Sequence, residues 1–266
     1  MSALGTSQRT SFVAECLLFA GWHLTRWRIQ PLIPIQSVVF PTLLLAIFHL
    51  LTGESMVRLI GSDNLDGLVP MCALAGGIVG ALGAGFSIPA ERASGLLSRL
   101  WTFPVHRASA LTGRLIAEAA RALLSTALIT AAGVAFGMRF DRGWSAVIPF
   151  LLVPVAVVLA FAMVVTTVAL AVGPEGTATF AWLGTVSVGL VFGSAGVAPV
   201  ELFPQWLQPV IRYQPMSPAI ETMRALAEGG AVWGPLVVTV GWVLGFAAVF
   251  GPAAIRNYRI AAEAGN

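Results

Sequence analysis

Residues 144–172 read WSAVIPFLLVPVAVVLAFAMVVTTVALAV, and no charged side chain interrupts them. A helix needs about 20 consecutive apolar residues to cross a hydrocarbon layer roughly 30 Å thick. This run exceeds that length, so it can tilt or reach beyond the layer. Working outward, five further stretches reach spanning length: 31–52, 67–90, 111–137, 178–198 and 232–253. Composition agrees, with 57% hydrophobic and 10% charged residues, where soluble domains carry about 25% charge. The reading is an all-α polytopic membrane protein with six transmembrane helices, in the cell membrane.

Charge then orients the bundle. With the N-terminus inside, ten arginines fall on the cytoplasmic side, among them Arg9, Arg26, Arg28, Arg92, Arg107, Arg256 and Arg259. Five fall outside: Arg58, Arg139, Arg142, Arg212 and Arg224. Acidic residues lean the other way, and this bias follows the positive-inside rule. Both termini are therefore expected in the cytoplasm. No basic region followed by an apolar core and a small-residue cleavage site opens the chain, so no cleaved leader is expected.

Three parts follow: an N-terminal helix over 1–30, a membrane domain over 31–253 and a cytoplasmic tail over 254–266. In the first, Phe12, Cys16, Phe19, His23 and Trp27 recur at helical spacing, with Trp22, Arg26 and Arg28 near the end. This pattern suits a helix in the headgroup region. Simple anchoring and part of a partner-docking surface are both open readings. Cys16 and Cys72 lack a paired spacing and read as small core residues, neither disulfide nor metal ligand.

All fifteen basic residues besides histidine are arginine. A P-loop of the form GxxxxGK[ST] needs a lysine to reach the nucleotide phosphates, so these 266 residues carry none. The scattered arginines argue against a nucleic-acid surface. No HExxH occurs, and no aspartate lies within a span. His23, His49 and His106 are far apart, and Ser87 shows no plausible base nearby in the sequence. The middles of the spans are expected to hold no carboxylate, histidine or arginine, which counts against a self-sufficient ion-coupled transporter.

One segment offers a surface to a soluble partner: Glu91–Arg107, ERASGLLSRLWTFPVHR. Leu96, Leu97, Leu100 and Trp101 share one face of a short helix flanked by Arg92 and Arg99, and Pro104 stops it. A loop resting on the lipid surface is the bland reading. A helix seated in a groove of a cytoplasmic protein is the functional one. Just beyond it, Arg114, Glu118 and Arg121 fall on one face at the cytoplasmic end of the third span. Their spacings are i,i+4 and i,i+3, so pairing at the helix entry is expected.

Between the fifth and sixth spans, 200–213 and 216–228 are two apolar stretches separated by Tyr213-Gln214-Pro215. Each is too short to span, which predicts a re-entrant helical hairpin on the outer side. Glu201, Trp206, Arg212, Tyr213, Glu221 and Arg224 are its candidate gate residues. Gly76-xxx-Gly80 and Gly189-xxx-Gly193 predict close helix approach without specifying a dimer seam.

These residues resemble a family. Glu91-Arg92-x-x-Gly95-Leu96-Leu97-x-Arg99-Leu100-Trp101, followed by Pro104-Val105-His106-Arg107, is similar to the type-2 ABC exporter permeases of the daunorubicin-resistance kind. So is Leu202-Phe203-Pro204-x-Trp206-Leu207-x-Pro209, continuing through Gln214-Pro215 to Arg224. The likeness is nearest to mycobacterial members that export complex cell-envelope lipids. It implies that 91–104 is a coupling helix contacting a separate ATPase and that the N-terminal helix lines the same interface. It also implies that the hairpin over 200–228 caps the extracellular side. Two permease subunits, identical or not, would pair with two ATPase chains that hold the ATP and magnesium, while this chain binds no cofactor. The cargo would be an amphipathic drug or lipid. Two alternatives stand beside this reading: a permease for polysaccharide- or teichoic-acid-type cargo, and an intramembrane enzyme acting on a lipid-linked substrate through Asp63 and Asp66.

Overall fold

The computed structural model of the chain describes residues 11–29, 31–60, 65–93, 108–172 and 177–263. These are helical almost throughout, with no strand among them. The helices are α1 (Phe12–Ile29), α2 (Leu32–Ile60), α3 (Leu65–Gly85), α4 (Ser87–Ala93) and α5 (Ser109–Phe136). They continue as α6 (Val147–Val172), α7 (Thr177–Phe192), α8 (Gln208–Tyr213), α9 (Met216–Glu228) and α10 (Trp233–Glu263).

The central pillar is α3. It is buried on nearly every side, as expected of a helix apolar all round, and α2, α5, α6, α7 and α9 pack around it. Its glycines let those neighbours close in. A side chain on Gly76 would strike the Ser37 carbonyl of α2, and one on Gly77 would strike Val158 of α6. The Gly76-xxx-Gly80 pattern thus serves packing within the chain. By contrast, Gly189 on α7 has nothing within 4 Å to meet an added Cβ.

Four described helices are long and apolar enough to cross a membrane: Leu65–Pro89, Ser109–Phe136, Trp144–Val172 and Trp233–Ile260. Of the apolar window in α3, 67% is buried, against 6% for α10. So α3 is a core element and α10 presents its apolar surface outward. Polar clasps still hold α10 to α6: Thr167 Oγ1 donates to the Phe250 carbonyl at 3.1 Å, and Asn257 Nδ2 donates to the Thr167 carbonyl at 3.2 Å. Such bonds serve as glue where lipid supplies no hydrophobic drive between helices. The apolar parts of α2 and α7, Ile35–Leu51 and Ala178–Phe192, are shorter.

Two boundaries differ from the sequence reading. The fifth apolar helix stops at Phe192, not near 198. There the Ser194 hydroxyl donates to the Val191 carbonyl at 2.6 Å, and the Ala195 N–H donates to Ser217 Oγ on α9 at 3.1 Å. Those bonds turn the chain toward α9. At the other terminus, α10 runs through Pro252 to Glu263 without a break at 253.

The helix α1 is more than an anchor, because it packs closely along α5. Cys16 and Ala20 are each 3% exposed, and Gly113 of α5 leaves no room for a Cβ beneath Phe19 and the Cys16 carbonyl. On its other side Val13, Leu17 and Leu18 are exposed, an apolar surface suited to lipid.

The bundle has two distinct ends. α1, α4, the start of α5, the last turns of α6 and Tyr258 of α10 meet at one, around a shared cavity. The hairpin helices α8 and α9 lie at the other, where the Asp141 N–H donates to the Ala227 carbonyl at 2.8 Å. Trp144, Trp206 and Trp233 stand exposed at this hairpin end, in the manner of an interfacial aromatic belt.

Candidate functional site

At the terminal end, the chain breaks between α3 and α4 at Phe86. A helix end leaves its last carbonyls without helical partners. Here Arg114 of α5 reaches across, and its Nη2 donates to the Ala84 carbonyl. The same guanidinium donates to Ser87 Oγ at 2.9 Å and to Glu91 Oε2 at 3.2 Å. Ser87 Oγ also lies 3.0 Å from Glu91 Oε1, as a donor to it. The ion-paired side chains are only 12% and 8% exposed. One arginine therefore ties the end of α3, both turns of α4 and the start of α5 together.

This arrangement revises the expected pairing. Arg114 turns to Glu91, 23 residues away, and Glu118 is taken by Arg121. It also corrects the reading of Ser87, since a carboxylate does sit one turn further on. That carboxylate is held by Arg114, and Arg114 also donates to the Ser87 hydroxyl, so the cluster is a structural joint.

A second ion pair lies deeper. Arg121 Nε donates to Glu118 Oε2 at 3.1 Å, and Nη2 donates both to Oε2 and to the Gly77 carbonyl of α3, the latter at 3.1 Å. Arg121 is 2% exposed and Glu118 5%. At 1.5 Å per residue, Arg121 lies about 18 Å along α5 from Ser109, near the middle of that span. The expectation that the span middles hold no carboxylate or arginine is therefore corrected. Charges survive there because each neutralises the other and a helix carbonyl accepts a further N–H from the guanidinium. The guanidinium fits only because residue 80 is glycine; a Cβ there would fall on Arg121 Nη1. Nη1 itself is buried and meets no acceptor among the described residues.

The hairpin end handles its charges differently. Glu201 and Arg212 approach to 3.8 Å, with side chains 73% and 58% exposed. Arg224 Nη2 donates to the Ala195 carbonyl at 3.0 Å, and Arg142 Nη2 donates to the Gly230 carbonyl at 2.7 Å. The break at Gln214 is extended, with ψ 154°, and its side-chain amide donates to the Gly193 carbonyl. Trp242 Nε1 on α10 donates to the Tyr213 carbonyl at 3.0 Å. Freed backbone groups in the broken hairpin are thus met by protein, as a membrane setting demands. Trp206 and Tyr213 are exposed. Glu221 is half-buried, and burial pushes its carboxyl above the usual range, with Arg224 and then Arg212 pulling it partly back.

Of the expected partner-facing residues, Glu91 is inward-facing and 7% exposed. Leu96, Leu97, Arg99, Leu100 and Trp101, and the side chain of Arg92, lie outside the described residues. Asp63 does too, while Asp66 sits in the first turn of α3, inside the Leu65–Pro89 span, which corrects the expectation that no aspartate lies within a span. No three His, Cys, Asp or Glu side chains lie close enough to hold a metal ion among the described residues. Cys16 and Cys72 are buried free thiols.

A model of the ABC-2 family transporter proteins matches residues 37–256. The chain belongs to this family. It is 35% identical over 248 residues to a probable doxorubicin resistance ABC transporter permease protein, DrrC, of Mycobacterium tuberculosis (strain CDC 1551 / Oshkosh), covering 93% of this chain and 89% of that one. It is 25% identical over 262 residues to the daunorubicin resistance ABC transporter permease protein DrrB1 of Streptomyces coeruleorubidus, covering 97% and 91%. A putative transport permease, ycf38, of Pyropia yezoensis is 28% identical over 211 residues, covering 75% and 69%. As an ABC-2 family protein, the chain is an integral membrane transport subunit. The matched span contains both buried ion pairs and the whole hairpin.

Proposed function

We propose that this ABC-2 protein is the permease subunit of an ATP-driven exporter that moves amphipathic drugs or complex cell-envelope lipids out of the cytoplasm or inner leaflet. The observation that carries the reading is the likeness, over nearly the full length, to permeases named for doxorubicin and daunorubicin resistance. These 266 residues hold no lysine and hence no P-loop, and the reading places hydrolysis on a separate ABC ATPase in two copies. A second six-helix permease, identical or homologous, completes the assembly.

In this reading α2 and α7 cross the membrane beside α3, α5, α6 and α10, and both termini are cytoplasmic. Residues 91–104 form the coupling helix, with Leu96, Leu97, Arg99, Leu100 and Trp101 against the ATPase and α1 alongside. Glu91 then works from inside as a positioning residue. Through Arg114 it passes movement of the coupling segment into the end of α3 and the start of α5. The hairpin of α8 and α9 closes the extracellular side, with Glu201, Trp206, Arg212, Tyr213, Glu221 and Arg224 around the exit.

The test is the triple variant Leu97→Ala, Leu100→Ala, Trp101→Ala. It should lose copurification with the ATPase, or leave the ATPase bound while export stops. Unchanged copurification together with unchanged export would sink the assignment.

A further inference from the structure

The cavity at the terminal end has a volume of about 310 Å³. Its walls are apolar, with Leu18 and Trp22 of α1 on one side and Ile88, Leu111 and Leu170 on the others. Its polar side is built from a few converging groups: the Glu91–Arg114 ion pair, Tyr258, His23 and Thr166. An apolar cleft with a small set of convergent polar groups is the general form of a small-molecule site. At this volume it stands at the lower end of such sites, so it admits one apolar moiety and excludes a pair of chains.

The lip shows the route in. Leu18 is 70% exposed and Trp22 45%, so the α1 wall of the cavity offers lipid an apolar edge, with a tryptophan of the kind that marks a membrane interface. The floor shows the kind of head group. Glu91 and Arg114 lie 3.2 Å apart and are nearly buried, so a net anion or cation would meet a like charge as closely as an opposite one. A zwitterionic head answers both signs at once.

We infer that this cavity is a binding site for a zwitterionic amphiphile with a single apolar chain or ring body, taken laterally from the membrane. The inference rests on the exporter reading for its place in the inner leaflet and deepens it by naming a cargo-side site. Because the floor is the same ion pair that joins α4 to α5, an occupant touches the joint that carries movement from the coupling segment.

The probe is radiolabelled lysophosphatidylcholine, titrated onto the purified full chain in neutral detergent without an ATPase. One saturable site per chain is expected, with lysophosphatidylglycerol and a long-chain alkyltrimethylammonium each competing about tenfold more weakly. Leu111→Trp, which fills the cavity, should weaken binding by about tenfold or more, and Tyr258→Phe should weaken it less. Should Leu111→Trp fail to fold, Leu18→Trp at the exposed lip serves in its place. Equal affinity for all three head groups, or binding unmoved by the filling variant, would overturn the site. Export with the ATPase is measured separately. Export that persists in a chain showing no saturable binding overturns the site and leaves the exporter reading standing. Saturable binding blocked by the filling variant supports the site even where ATP-driven export is absent, and that absence counts against the exporter reading alone.

Discussion

The two ends of this bundle carry ion pairs of opposite kinds. At the terminal end Glu91–Arg114 is nearly buried and spans three helices, and Glu118–Arg121 lies deeper still. At the hairpin end Glu201–Arg212 is looser and mostly exposed, while Arg142 and Arg224 cap backbone carbonyls. Buried pairs in an apolar setting are costly to break, because either partner alone is left as an uncompensated charge. Exposed pairs are screened and contribute little. The contrast separates a stiff joint between α3, α4 and α5 from a surface whose charges can be altered cheaply.

The largest effect should come from breaking the deep pair. Arg121→Ala leaves Glu118 buried and unpaired and should cost about 3–5 kcal/mol, read as a steep loss of thermal stability in detergent. Replacing both partners, with Glu118→Leu and Arg121→Met, should recover most of it, since apolar substitutes for a whole buried pair are often neutral. Failure of that rescue would mean the pair does more than neutralise itself. Next comes Gly80→Val, which places a side chain where Arg121 Nη1 lies. Overpacking of this kind costs about 1–3 kcal/mol, and Gly80→Val should cost less in the Glu118→Leu, Arg121→Met background than in the native chain.

Effects at the hairpin end should be smaller. The folded pKa of Glu221 is raised, so its protonated form is favoured in the fold. Its contribution therefore holds at low pH and is lost as pH rises through the folded value. Glu221→Gln should melt slightly higher than the native chain at about pH 8 and together with it at about pH 4. The reverse order would place the carboxylate in a stabilising pair. Smallest of all, Arg212→Ala should change stability by less than about 1 kcal/mol.

Local signals in the sequence carried local structure well. The Tyr213-Gln214-Pro215 break falls where α8 gives way to α9, because proline chemistry acts over a few residues. The Glu118–Arg121 pair was legible for the same reason, as an i,i+3 spacing on one helix. Partners set by tertiary packing were not. Arg114 had a tempting neighbour at Glu118, and only the fold brings Glu91 to it. Nothing at Gly80 announces that a guanidinium fills the space of its missing Cβ. The early end of α7 depends on bonds from Ser194 and Ser217, two residues separated by the whole start of the hairpin.

In the proposed exporter the Glu91–Arg114 joint links an ATPase-facing segment to the spans. In proteoliposomes holding this chain with the ABC ATPase proposed as its partner, amphiphile exported per ATP hydrolysed should fall about tenfold or more in Glu91→Gln, with the ATPase still bound and hydrolysing. An unchanged ratio in that variant, or export by the native chain with no ATPase present, would contradict it.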